Sequence, residues 1–154
     1  MIHFHIITLF PESIEPYTSG SMLGRAQKEG KIKVSYYNPR DFAKSKSKSV
    51  DGKPYGGGPG MVMEAECVLR AAEKATGRKK NVEVIFFSPS GKLFDSGDAK
   101  RLATAKNSRS SKNIVFICGH YEGVDARVAK ILKAKHVSVG PYVLTGGELP
   151  AAIM

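Results

Sequence analysis

Cysteine and negative charge are both scarce in this chain. Its two cysteines, Cys67 and Cys118, stand far apart, with no CxxC pair. That excludes a disulfide framework and makes a reducing cytoplasm the natural compartment. Asp and Glu total 14 against 24 Lys and Arg, a net charge of +10. Such a deficit of acids favours a polyanionic partner, nucleic acid first and an anionic membrane surface second. Long apolar runs are missing as well, so nothing predicts a membrane span. The apolar start, residues 2–10, lacks a basic n-region and meets Pro11 and Glu12 at once, which reads as a strand rather than a signal peptide. Neither a Walker A loop nor a GxGxxG fingerprint occurs: in Lys53-Pro54-Tyr55-Gly56-Gly57-Gly58-Pro59-Gly60-Met61 no Gly-Lys is followed by Ser or Thr. A nucleotide-phosphate cradle is therefore not predicted there.

What is present suits one globular domain. The chain has 154 residues, 42% of them hydrophobic and 25% charged; a chain of that size buries roughly two-thirds of its unfolded surface. Five stretches predict strands: 2–10, 32–37, 82–87, 114–118 and 136–139. Helical stretches alternate with them. A short one opens at Pro11-Glu12, one spans 21–29 before Gly30, and one spans 64–76 before Gly77. Another runs from the cap at Asp95 to about Lys106, one spans 124–135, and the last begins at Glu148. Alternation of this kind predicts an α/β fold with a mostly parallel sheet flanked by helices. His3 and His5 share a strand face, but no further ligand stands at a suggestive spacing, so they read as packed imidazoles and no metal site is predicted. The Lys/Ser alternation of residues 44–49 reads as a solvated basic loop that could touch phosphates.

In parallel sheets ligands bind beyond the C-terminal ends of the strands. Three turns with special residues fall at such ends: Ser88–Gly91, Gly119–Gly123 and Gly140–Gly147. In the last, glycines allow positive φ and leave bare backbone for a ligand, while Tyr142, Val143 and Leu144 supply apolar walls. A flat heteroaromatic ring such as adenine suits that combination. Among nearby carboxylates, Glu122 is the candidate positioning group. Asp125 reads as a helix-start residue, and Glu148 as a first-turn acid favoured by the helix dipole.

Taken together, several stretches resemble the bacterial tRNA (guanine-N1)-methyltransferases, members of the SPOUT class of knotted enzymes. They are Leu9-Phe10-Pro11-Glu12, Pro39-Arg40-Asp41-Phe42, Pro54–Met61, Ser88-Pro89, Cys118–Gly123 and Tyr142–Pro150. The resemblance covers the whole chain in order. It implies a deep trefoil knot near the C-terminus, S-adenosyl-L-methionine bound there and released as S-adenosylhomocysteine, and a homodimer. It also implies methyl transfer to N1 of guanosine 37, just 3′ of the anticodon of a tRNA substrate. Phe86, Phe87, Ser88 and Pro89 match one wall of the family's cofactor pocket, and Gly119 and Tyr121 another. Val139, Gly140, Pro141, Tyr142, Val143 and Leu144 match its adenine and ribose loop, with Gly146 and Gly147 behind. Glu122 matches a carboxylate near the methionine part and the target guanine, and Arg40, Asp41 and the 55–60 loop match regions near the active site.

Three departures stand out against the family pattern. Pro141 replaces a common Asp, Ala126 replaces a common Glu, and the family continues past Met154 into a linker with an Asp base and then a tRNA-gripping helical domain. Residues 1–154 are thus expected to form the cofactor-binding domain of a truncated enzyme, weakly active or inactive. The other readings are a non-catalytic basic RNA-binding module with a vestigial pocket, and a different SPOUT enzyme acting on rRNA, which Pro54–Met61 disfavours.

Overall fold

A computed structural model describes residues 1–77, 82–104 and 112–154. Among these residues seven strands form two sheets. They are β1 (Ile2–Ile7), β2 (Ile32–Tyr37), β3 (Asp51–Gly52), β4 (Val62–Met63), β5 (Val82–Leu93), β6 (Lys112–Ile117) and β7 (Lys135–Ser138). The central sheet has five strands in the order β2-β1-β6-β5-β7, and every pairing in it is parallel. A two-stranded antiparallel ribbon, β3 against β4, stands beside it. The helices are α1 (Glu15–Ser19), α2 (Ser21–Lys28), α3 (Ala65–Thr76), α4 (Ser96–Ala103), α5 (Ala126–Ile131) and α6 (Glu148–Ile153). The α/β fold with a mostly parallel sheet follows the sequence pattern. Among the described residues no helix is long and apolar enough to cross a membrane.

Alternation along the strands creates two cores. Ile7, Val115 and Ile117 point to one face and meet α3 and α5 through Val68, Ala72 and Val128. Ile6, Ile85, Ile114 and Phe116 point to the other and meet Ile14, Leu102 of α4 and Ala151 of α6. Phe116 is the largest fully buried side chain, stacked at 5.8 Å on Phe4 and 5.4 Å from Phe87. His5 is fully buried, as a packed imidazole: its ring bonds to Tyr37 Oη at 3.3 Å and Asn113 Oδ1 at 3.1 Å.

Layering decides where the chain leaves the sheet. From the ends of β1, β5 and β7 it passes to the face holding Ile14, α4 and α6; from the end of β6 it crosses to the face holding α3 and α5. Neighbouring strands whose chains depart to opposite faces open a crevice between them, the position at which such sheets bind ligands.

Several boundaries differ from the sequence reading. The third strand expected from the sequence, β5, does not stop at Phe87 in a free turn. It runs on to Leu93, and Phe87 and Lys92 both pair with Val137, so Ser88–Gly91 bulges out of register and rejoins. Gly91 permits this because it lies flat on the main chain of His136 and Val137, where a Cβ would collide. The next, β6, starts earlier, at Lys112, because Asn113, though polar, is buried and held by His5. The helix expected over 124–135 is shorter, with Asp125 as its N-cap and Leu132 as its C-cap. Asp125 is thus the helix-start residue the sequence predicted: its side chain accepts from Arg127 N at 2.9 Å. Helix α4 ends at Ala103, and its expected extension to Lys106 falls outside the described residues.

Candidate active site

All three strand-end segments meet in one cleft. Phe86, Phe87, Ser88 and Pro89 form one wall, and Gly119, Tyr121 and Glu122 form another. Val139, Gly140, Tyr142, Val143, Leu144, Gly146 and Gly147 form the third, and the open cavity between them is about 190 Å³. Of the cofactor residues singled out in the sequence, only Pro141 is not part of the lining; it stands exposed at the tip of its loop. The backbone is strained where the crevice opens. Tyr121 has φ 60°, a left-handed conformation that costs a non-glycine residue about 1–3 kcal/mol. Gly123, two residues on, has φ 133°.

The glycines of the third segment are there for a reason other than the one their sequence suggests. None of Gly140, Gly146 and Gly147 has positive φ. Each is required because another part of the protein occupies the place of a Cβ. At Gly140 the occupant is the ring of Tyr142, at Gly146 it is His120 with Glu148, and at Gly147 it is the main chain of Cys118. Tyr142 folds back so that its hydroxyl donates to Val139 O at 3.2 Å, and its ring covers Gly140. The expectation of bare backbone open to a ligand is corrected here. The loop is packed down on the end of β6, and Gly147 N donates to Gly119 O at 3.2 Å.

The second glycine cluster, residues 56–60, closes over Glu122. Gly60, with φ 85°, sits so near that a Cβ would overlap the Glu122 side chain. Main-chain bonds fasten the two segments: Glu122 N donates to Met61 O at 3.0 Å, Met63 N to Gly123 O at 2.9 Å, and Asp125 N to Met63 O at 3.0 Å. Tyr55 is anchored by Arg127, which donates to its hydroxyl at 2.6 Å and lies 5.3 Å from the ring centre. Arg127 in turn grips Asp125, and its guanidinium holds that carboxyl below the usual aspartate range. Between this loop, β4 and the start of α5 runs a groove of about 750 Å³ that includes Lys53, Tyr55, Glu64 and Arg127. Glu122 therefore stands between the cleft and the glycine loop beside that groove. Arg40 lines neither this groove nor the cleft and donates to Lys48 O at 3.5 Å.

Sequence reasoning missed a cluster centred on Glu148. Its carboxylate is buried and accepts from Thr8 Oγ1 and from His120 Nε2, at 2.9 and 2.8 Å from its two oxygens. His120 lines the cleft, and its ring meets Phe10 edge-on at 4.8 Å. Beneath lies Cys118, whose thiol is pushed well up by complete burial and, secondarily, by the charge of Glu148. Glu148 is the first-turn acid of α6 that the sequence predicts, and it is in addition a buried fastener. Only a His in a strand-end turn hinted at this; nothing in the sequence links positions 8, 120 and 148.

A strand-end cleft with apolar walls and a flanking carboxylate lies where parallel α/β sheets bind small ligands. The sequence profile of the tRNA (Guanine-1)-methyltransferase TrmD family matches residues 2–154. The chain belongs to that family. It is 45% identical over 154 residues to a tRNA (guanine-N(1)-)-methyltransferase of Buchnera aphidicola, covering 100% of this chain and 63% of that protein. A protein of the same name from Campylobacter jejuni is 42% identical over 151 residues, covering 98% of this chain and 62% of its own length. Another from Clostridioides difficile is 41% identical over 155 residues, covering 99% and 64%. The chain thus spans less than two-thirds of the length of these relatives.

Proposed function

We propose that residues 1–154 form the cofactor-binding domain of a cytoplasmic enzyme that methylates N1 of guanosine 37 in tRNA, with S-adenosyl-L-methionine as donor. The observation that carries this reading is the convergence of three strand-end segments, distant in sequence, on one cleft in a chain of this family. The residues fit such a group by chemistry. Phe86, Phe87, Val139, Val143 and Leu144 offer apolar walls, the turns at 119–121 and 139–144 offer main-chain groups, and Glu122 offers a carboxylate for a cationic part. At about 190 Å³ the cavity is small for a nucleoside, since ligand pockets run to roughly 300 Å³ or more. Tyr142, half exposed and held by one hydrogen bond, is the wall that swings outward to admit it. A trefoil knot through the last strands and a homodimer belong to the same reading.

When bound, the sulfonium supplies an electrophilic methyl with a good leaving group, so no metal or covalent nucleophile is needed. The protein's share is to place guanine N1, remove its proton and stabilise charge developing on O6. Glu122, between the cleft and the glycine loop, is the positioning carboxylate. The basic surface, net +10, favours the tRNA backbone. With Glu122 positioning rather than deprotonating, the 154 residues alone are expected to bind cofactor and to turn over weakly or not at all.

Calorimetry with S-adenosylhomocysteine tests the pocket: saturable one-site binding is expected, and its absence in a folded sample ends the assignment. Tritium transfer from labelled S-adenosylmethionine to tRNA tests the chemistry, with robust turnover refuting the limited role given to Glu122. Salt-sensitive tRNA binding without cofactor affinity would instead support a non-catalytic RNA-binding module.

A further inference from the structure

We propose that His120, aimed by Glu148, is a cofactor-contacting residue whose Nδ1 accepts a hydrogen bond from an amine or hydroxyl of the ligand in the cleft. This rests on the reading of the cleft given above and adds a residue to it. The ring is fixed on three sides. Both carboxylate oxygens of Glu148 take its Nε2, at 2.9 and 2.8 Å. Thr8 Oγ1 holds Glu148 from the far side, and the edge-on contact with Phe10 stops the ring from turning. Gly146 packs so closely on the pair that a Cβ there would overlap both side chains.

A carboxylate accepts only, so a neutral ring paired with it carries its proton on Nε2. Nδ1 is then left as a lone-pair acceptor. It has no protein partner among the described residues and is not buried, and the side chain lines the cleft with 17% of its surface exposed. An acceptor whose direction is fixed before binding loses little entropy when a ligand donor reaches it. The bridge also makes the end of β1 part of the site: Thr8 and Phe10 do not line the cleft, yet they set the direction of the ring that does.

The test uses the 154-residue chain labelled with 15N at its four histidines, with the His120 signals assigned by loss in His120→Gln. Before ligand, long-range imidazole spectra are expected to show His120 protonated at Nε2 and bare at Nδ1. Adding S-adenosylhomocysteine is expected to move the Nδ1 resonance towards that of a hydrogen-bonded nitrogen. His120→Ala should weaken binding about tenfold, which corresponds to about 1.4 kcal/mol. Thr8→Val should weaken it about two- to fivefold and blur the tautomer preference. Repeating the titration with 5′-methylthioadenosine separates donors: a shift retained points to the nucleoside, a shift lost points to the amino group. An Nδ1 resonance that stays in place while calorimetry shows binding overturns the role of His120 and leaves the pocket assignment intact. Absence of binding by the wild-type chain overturns both. The spectra need only unsubstituted protein, so a variant that fails to fold does not block the decision.

Discussion

Residues 56–60 and 140–147 are both rich in glycine, yet the middle of the first loop and the whole of the second need it for opposite reasons. In the first, Gly57 and Gly58 have φ 76° and 106°, and nothing lies within 4 Å of the place a Cβ would take. At those two positions space is ample and the backbone conformation is what forbids a side chain, while Gly60 at the loop's end is also crowded by Glu122. In the second, φ is ordinary and space is what is lacking. The first loop is a flap whose shape is written into its own chain, anchored at its base through Tyr55 and Arg127. The second is a strap whose position depends on what it is pressed against. Composition alone does not distinguish them; only the neighbours do.

Substitution separates the two cases in order of effect. Gly147→Ala drives a methyl into the main chain of Cys118 at the end of a central strand, where nothing flexible can yield. A loss of about 3 kcal/mol or more is expected, read by chemical denaturation, and with it cofactor affinity. Gly58→Ala meets no atom and should cost about 1–2 kcal/mol through backbone strain alone, with the cleft unaffected in a binding assay. If Gly58→Ala proves the more damaging of the two, the contrast between the loops is wrong.

Two smaller effects sharpen it. Asp125→Asn keeps the helix cap but removes the charge that holds Arg127 and, through it, Tyr55. Because Arg127 lowers the carboxyl's pKa in the folded protein, the stabilising contribution is present above the unfolded aspartate value of about 3.9 and lost as pH falls through the lower folded one. Wild type should therefore melt a few degrees above Asp125→Asn at neutral pH, less at high salt because Arg127 is exposed, and the gap should close in acid. Gly56→Ala, in open space and without positive φ, should change stability by no more than about 0.5 kcal/mol.

Much of the framework could be read directly from residue order. The β-branched and aromatic run at 32–37 matches its strand end to end. Gly30 stands at C′ of α2 with φ 67°, and Gly77 caps α3 with φ 54°. The cofactor positions expected from strand ends and resemblance line one cleft, Pro141 excepted. What stayed hidden depends on contacts across the sheet. The continuation of β5 past Pro89 depends on Gly91 finding the main chain of β7. The burial of Glu148 depends on Thr8, 140 positions away. A local window reads propensity and pattern; it cannot read a partner that only folding supplies.

The crossing of the chain to the opposite face after β6 has a consequence for how the protein is made. The cleft borrows its walls from segments near residues 86–89, 119–122 and 139–147, and its support from Thr8. Every pairing in the main sheet is parallel, so no neighbouring strands can zip together locally. A growing polypeptide emerging from a ribosome therefore joins β1 to β5 only once β6 has appeared, and it completes the cleft only after the segment at 139–147 has arrived and docked.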